Sequence, residues 1–337
     1  MIVLSGASGF VGRRLALRAK SKYGSADLTC LVWDSPHAYE QQGQAFLGRA
    51  GVSFLPVDLV TGQGLSRLAR RPKIVYHLAA NTFTATRDHR CNDLGTQHLI
   101  QALGPLGPDC HVLFTSSVAV MDHRSEYSQP LTEETPLYST PCTPYGRSKL
   151  RAEEWLRDRA EKEGFSLTIL RLVTVYGSGP RPTSIFYELQ KQVRAGALLT
   201  RVNWPGLTGF VHADDAVEAL ERLSERPPPP GASETYLVQT EAQALATVSA
   251  WLHRALDIPY RPVSLPPIFW RIGSWVGRRK KWLEKALPLR LYNLLWRGSL
   301  LVDHVFWCQT DKLAQALPGW KPRLLEQTIH ETLEPME

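Results

Sequence analysis

Short β-rich runs alternating with longer helical patterns, a glycine-rich turn directly behind the first run, and a change of pattern after residue 177 predict an α/β protein. The expected architecture is a doubly wound parallel sheet followed by a smaller, mostly helical C-terminal domain. Strands that alternate with helices need crossover connections. These are right-handed and lay helices over both faces of a parallel sheet.

The elements follow in order. Ile2–Ser5 is a short apolar run and the first strand. The turn Gly6-Ala-Ser-Gly-Phe-Val-Gly12 opens a helix over Phe10–Lys22, whose apolar residues recur at helical spacing. Leu28–Trp33, Ser53–Pro56, Ile74–Leu78 and Val112–Thr115 are the next β-rich runs, separated by helical patterns over Gln63–Arg70 and His89–Leu103. A long helix is expected over Pro144–Glu163, stopped by Gly164, and then a strand at Leu167–Leu172. After Tyr176-Gly-Ser-Gly-Pro-Arg-Pro182 come a helix near Ile185–Ala195 and the segment Phe210-Val-His-Ala-Asp-Asp215, which leads into a helix to about Arg222. Arg226-Pro-Pro-Pro-Pro-Gly231 is a turn or short rigid connector. Glu234–Val238 reads as a strand and Leu245–Leu256 as a helix.

Two short constellations carry chemistry. Gly6, Gly9 and Gly12 sit between a strand and a helix, where glycines let the backbone approach a pyrophosphate and the helix N-terminus supplies amides and partial positive charge. The sheet is therefore expected to be of Rossmann type, with a dinucleotide on the turn. Its spacing is GxxGxxG rather than the general GxGxxG. Asp34, at the end of the second strand, is placed to bond the adenosine ribose hydroxyls and to repel a 2′-phosphate. NAD is thus expected in preference to NADP, with Arg13 as a cation that could offset the preference. Asp58, after the third strand, is a candidate for the adenine edge, or else a capping acid. The second constellation is Tyr145-Gly-Arg-Ser-Lys149. Residues at i and i+4 share a helix face, and a cation beside a phenol favours the phenolate, which would bring the Tyr145 pKa toward the range of a general acid/base. Alone, such a pair is equally a solvated helix face.

With Val57-Asp-Leu59, His77-Leu-Ala-Ala80, Asn92-Asp-Leu-Gly-Thr96, Thr115-Ser-Ser117, Arg171-Leu-Val-Thr-Val-Tyr-Gly177 and His212-Ala-Asp-Asp215 added in this order, the chain resembles the extended short-chain dehydrogenase/reductases, which include epimerase/dehydratases and 3β-hydroxysteroid dehydrogenase-like reductases. The matching pieces run from residue 2 to about 325. The resemblance implies catalytic roles for Ser117, which orients the substrate oxygen, Tyr145, which transfers the proton, and Lys149, which holds the nicotinamide ribose and lowers the tyrosine pKa. It implies cofactor contacts from Gly6, Ser8, Gly9, Phe10, Val11, Gly12, Asp34, Asp58, Leu59, Leu78, Ala79, Ala80 and Thr115, besides Tyr145 and Lys149. Ser116 is the serine most easily confused with Ser117, and Asn92 reads as structural. Residues 1–177, rejoined by 211–240, would bind the dinucleotide, leaving 178–210 and 241–337 for substrate. Many relatives dimerise through the helix that carries the Tyr-Lys pair, so a homodimer is implied by analogy.

Relatives that act on sugar nucleotides carry an asparagine in the Arg-x-x-Asn-x-Tyr-Gly stretch and an arginine before the Phe-Val-His segment. Here those positions are Thr174 and, approximately, Thr208, which cannot neutralise a diphosphate, although Arg181 and Arg201 could substitute. The leading expectation is accordingly hydride transfer between nicotinamide and a ketone or alcohol of a hydrophobic or aromatic small molecule. The alternatives are an NAD-dependent epimerase or dehydratase of a nucleotide sugar, and a dinucleotide-binding, redox-sensing regulator.

Composition sets outer bounds. Of 337 residues, 43% are hydrophobic and 21% charged, as in a globular protein with a sizeable core. The net charge of +7 suits an anionic ligand. Cys30, Cys91, Cys110, Cys142 and Cys308 lack metal-ligand spacing, so neither a metal site nor a disulfide framework is expected, and a reducing cytoplasm fits. No secretory leader and no apolar stretch of ~18 residues are read. Pro266–Trp307 gathers Phe269, Trp270, Trp275, Trp282, Tyr292, Trp296, Phe306 and Trp307 around Arg278-Arg-Lys-Lys281. It is expected to wall a helical substrate domain, or to form an amphipathic surface for an apolar substrate or peripheral membrane contact. The basic run is too short to predict nucleic-acid binding.

Overall fold

The computed structural model of the protein describes residues 1–83, 86–121, 130–137, 143–288, 291 and 307–335. Ten strands are described: β1 (Ile2–Ser5), β2 (Leu28–Val32), β3 (Phe54–Pro56), β4 (Ile74–His77), β5 (His111–Ser117), β6 (Ser166–Leu172), β7 (Thr174–Tyr176), β8 (Leu207–His212), β9 (Ser233–Val238) and β10 (Glu241–Ala244). Seven form a parallel sheet in the order β3-β2-β1-β4-β5-β6-β9. The order reverses between β1 and β4, the position at which doubly wound sheets open a ligand crevice beyond the strand C-termini.

Helices α1 (Gly12–Tyr23), α2 (Ala38–Arg49), α3 (Leu94–Leu103), α4 (Pro144–Glu163), α5 (Ile185–Arg194), α6 (Ala213–Ser224), α7 (Leu245–Ala255) and α8 (Pro267–Arg278) cover the sheet and build the second part. Alternation along the strands feeds two apolar layers. Ile2, Leu4, Leu113, Leu170 and Leu172 point to one face with α1 and α6. Val3, Val112, Phe114, Leu167 and Ile169 point to the other, with α3 and α4.

The second part is not wholly helical. β7, β8 and β10 form a three-stranded sheet, and Tyr176, Phe186, Phe210, Val248, Leu252, Leu325 and Ile329 make its small core. Two long-range clamps fasten residues near the chain's end to the start of α6: His212 to Glu331 at 2.9 Å, and Asp215 to Arg323.

Some expected elements are shifted. The helix expected over Gln63–Arg70 is only a 3-10 turn at Leu65–Arg67, because Gly62 and Gly64 both take positive φ, at 79° and 84°. The helix expected from His89 begins at Leu94, where the Asp93 carboxylate accepts the Leu94 N–H. β2 stops at Val32, short of Trp33. Helix α2 follows it, where no helix is expected from the residue pattern. Trp296, Tyr292, Phe306 and Cys142 lie outside the described residues.

Candidate active site

β1 ends at Ser5 and the chain turns at once through Gly6, whose φ is 74°. Here glycine is required by packing: a Cβ on Gly6 would lie 2.7 Å from the Ala79 nitrogen, and one on Gly12 would lie 2.0 Å from the Gly6 carbonyl oxygen. The turn is closed by Gly9 N–H donating to Gly6 O at 3.0 Å, and Val11 stands at the N-cap of α1. Phe10 is half-buried, with the Arg14 guanidinium over its ring at 4.7 Å. Ser8 is buried and donates its hydroxyl to Glu40 at 2.8 Å. Ala79 N–H reaches Ser5 Oγ at 3.3 Å, and Leu78, Ala79 and Ala80, all partly accessible, run past the turn from the end of β4.

β5 brings Thr115 and Ser117 to the same crevice. Ser117, half-buried, is hydrogen-bonded to the Tyr145 hydroxyl and accepts the Ala119 N–H at 3.2 Å. Ser116 points elsewhere; its hydroxyl is buried and has no hydrogen-bond partner among the described residues. Helix α4 carries the other two groups. Thr143 caps it by accepting the Gly146 N–H at 2.9 Å, and Pro144 starts it with a preset φ. Lys149 is 1% exposed and donates its ammonium to the Thr115 carbonyl at 2.8 Å, with the Phe114 ring 4.5 Å away. Thr115 in turn donates to the His77 carbonyl at 3.3 Å. Ser117 with Tyr145, and Lys149 with Thr115, thus form two pairs beyond the strand ends.

Burial governs the electrostatics of Tyr145 and Lys149. Burial is the dominant influence and pushes its phenol up to about 12, against which the Ser117 hydrogen bond and the Arg181 charge act downward. Lys149 is not among the groups that act on it. The ammonium is itself held down to about 8 by burial, partly offset by Cys91 and Glu153. Burial thus opposes ionisation of both groups, which share one face of α4.

Several residues position the site: Asn92 takes the structural role expected from the sequence, Arg181 is there a candidate substitute cation, and Glu153 and Gly43 are not singled out by the sequence. Asn92 is buried and binds Asn81 N–H (2.7 Å) and Asn81 O (3.1 Å) while donating to Ser148 Oγ at 2.9 Å, which ties α4 to the loop after β4. Arg171 forks onto Glu153 of α4 at 3.1 and 2.7 Å, both side chains being at most 2% exposed. In α2, Gly43 lets the helix approach the glycine turn, since a Cβ there would lie 2.2 Å from Ser8 O. Arg181 comes from the loop after β7. Its Nη2 would be 3.0 Å from a Cβ on Gly9 and lies 3.7 Å from Glu40, with Nη1 3.2 Å from Thr82 Oγ1. Its Nε is buried without a hydrogen-bond partner among the described residues.

The remaining candidates lie at the periphery. Asp34 is exposed two residues past the end of β2. Asp58 commits one carboxylate oxygen to its own turn, accepting Val60 N–H at 2.7 Å and Thr61 N–H at 3.2 Å, the arrangement of a capping acid. Leu59 is buried in the core. Arg13 is 3% exposed and bound to Tyr39, Ser178 O and Gly179 O, so it is not a free counter-charge for a 2′-phosphate.

A nicotinamide dinucleotide fits these residues on one observation: a Cβ on Gly6 or Gly12 would strike backbone, so the turn keeps bare amides at the start of α1. Gly6, Ser8 and Gly9 would hold the phosphates, and Lys149 and Tyr145 the nicotinamide end.

The sequence profile of a family described as NAD dependent epimerase/dehydratase matches residues 2–238. Among curated relatives, an uncharacterized UDP-glucose epimerase of Bacillus subtilis (strain 168) is 28% identical over 199 residues, 57% of this chain and 61% of that protein. A GDP-6-deoxy-D-mannose reductase of Pseudomonas aeruginosa is also 28% identical over 199 residues, 57% of this chain and 58% of that protein. The chain thus spans about three fifths of the length of these relatives. Among solved structures, a UDP-glucuronic acid 4-epimerase from Bacillus cereus superposes with a TM-score of 0.73 at 19% identity, covering 98% of this chain and 97% of that one, a likeness of fold.

Proposed function

The chain belongs to the NAD dependent epimerase/dehydratase family, as an extended short-chain dehydrogenase/reductase, and from that premise we propose that it is an NAD-dependent epimerase or dehydratase of a nucleotide-linked sugar. This reading takes precedence over the hydrophobic ketone or alcohol, since the curated relatives above are named for nucleotide sugars. The observation that carries it is Arg181. Thr174 and Thr208 lack charge, but Arg181 supplies a cation between the glycine turn and Tyr145, with one buried N–H unspent among the described residues. Such a group suits an anionic substrate far better than a neutral ketone.

NAD, when bound, supplies the hydride acceptor and donor. Tyr145 Oη, as the phenolate, takes the proton of the reacting sugar hydroxyl as its carbon is oxidised and, as the phenol so formed, gives it back on reduction. Ser117, hydrogen-bonded to Tyr145, orients the sugar oxygen toward it. Lys149, anchored on the Thr115 carbonyl, presents a fixed ammonium to the cofactor ribose.

The test is direct. Supplied with NAD, the protein is expected to convert UDP- or GDP-linked hexoses without net NADH formation, followed by chromatography of the sugar products. Arg181→Gln should raise the nucleotide-sugar KM by roughly 10- to 100-fold, the loss of one or two charge-assisted hydrogen bonds. Steady NADH consumption with an apolar ketone, and no turnover of nucleotide sugars, would reinstate the ketone reading.

The cofactor preference belongs to the same proposal. Asp34 offers a carboxylate at the end of β2, and the cation that could have offset it, Arg13, is engaged elsewhere. NADH should bind more tightly than NADPH in fluorescence titrations, and Asp34→Ala should narrow the difference. Equal affinities in the unaltered protein would exclude the assignment.

A further inference from the structure

Helix α8 has two apolar sides, and among the described residues one packs against the protein while the other is exposed. Trp270 packs edge-on against Trp204 at 5.7 Å, and the Trp204 indole N–H donates to Leu199 O at 2.9 Å, which fastens the helix to the second part of the chain. On its other side Ile268, Phe269, Ile272 and Trp275 are exposed by 55, 53, 56 and 50%. At about 100° per residue these four positions fall within an arc of roughly 120°, so they form one strip along the helix. Trp282, four residues past the end of α8, is 65% exposed. Scattered apolar side chains are ordinary on a protein surface, but a continuous strip of this kind marks a contact site.

The charge around the strip is one-sided. Between Asp257 and Glu284 there is no acidic residue, while Arg261, Arg271, Arg278, Arg279, Lys280 and Lys281 are basic. Arg271 is exposed one turn from the strip, and the Arg279 guanidinium lies over the Trp275 ring at 4.1 Å. α8 has 12 residues, and no helix among the described residues is long and apolar enough to cross a membrane.

We propose that this face docks on an anionic phospholipid bilayer. Ile268, Phe269, Ile272 and Trp275 enter the boundary between headgroups and acyl chains, and Arg271 and Arg279 meet the lipid phosphates. An in-plane helix needs this combination of an apolar strip, flanking cations and aromatic rings whose polar edges stay at the headgroup level. A second copy of the chain suits the face less well, since it would bring the same acid-free basic stretch against itself. Nucleic acid would leave the aliphatic strip without a partner. The inference concerns where the enzyme works and does not depend on the proposed substrate.

Flotation with vesicles tests it, using phosphatidylcholine alone and phosphatidylcholine mixed with phosphatidylglycerol. The full chain is expected to float with the mixed vesicles at low salt, to be released as salt screens the charges, and to stay behind with phosphatidylcholine alone. Ile272→Glu combined with Trp275→Glu should weaken binding at least about tenfold, and Arg279→Glu should weaken it selectively for the anionic vesicles. Both sites are exposed, so melting temperatures should match the native protein. Failure to float with anionic vesicles at low salt would overturn the proposal. So would binding that survives the double substitution, or a native dimer seen by light scattering that the double substitution abolishes.

Discussion

Tyr145→Phe is expected to reduce turnover by about 10²- to 10⁴-fold, the usual loss when a positioned general acid/base is removed. The variant deletes one oxygen. It keeps the ring that packs 5.8 Å from His89, and it leaves α4 and its Thr143 cap intact. Its melting temperature should therefore stay close to native, and cofactor binding, read by fluorescence, should change little. That pairing separates a chemical role from a structural one. If more than about a tenth of the native turnover survived, proton transfer would have to run through another group, since a defect of that size is too small for the loss of an acid/base. If every measurable function were unaffected, the redox-sensing reading would gain over that of an enzyme.

Glu153→Leu is expected to cause the largest loss of stability. The Glu153 carboxylate faces the Arg171 fork at 2.7 and 3.1 Å, with Arg157 also within 3.5 Å. Removing it leaves a buried guanidinium without its counter-charge, which costs roughly 3–5 kcal/mol. For a chain of this size that corresponds to a fall in melting temperature on the order of 10 °C. The double variant Glu153→Leu with Arg171→Met should recover most of the loss, because a buried ion pair and a well-packed apolar pair are often close in energy. A single variant that melts like the native protein would show that the pair contributes little. Because this pair holds α4 against β6, the single variant should also lose activity at temperatures below its melting point.

The parts of the site that were legible in the sequence are the parts encoded locally. Gly6, Gly9 and Gly12 fall between an apolar strand and a helix, and Tyr145 and Lys149 are one turn apart, so their placement follows from spacing, while their roles are implied by the family resemblance. α2 was not legible, because Gly43 and Gly48 look like interruptions of a helix. Gly43 is there for a reason only the fold reveals, the approach to Ser8 at a distance that no Cβ tolerates. Arg181 is in a glycine- and proline-rich loop, and no periodicity says where such a loop will place a side chain. The burial around Tyr145 was not legible for a related cause. The sequence shows which charge is near in the chain, but desolvation is a property of the assembled interior.

The order of strands also bears on how the chain is made. β9 completes the parallel sheet beside β6, yet the whole three-stranded sheet except β10 lies between them in the chain. During synthesis from the N-terminus, β6 therefore emerges as an open edge with unpaired N–H and C=O groups, and it stays so until residue 238 is available. The seven-stranded sheet cannot be completed before much of the three-stranded one exists. Truncations ending between residues 172 and 233 should yield not a small stable domain but a sticky intermediate, the kind of species that calls for a chaperone.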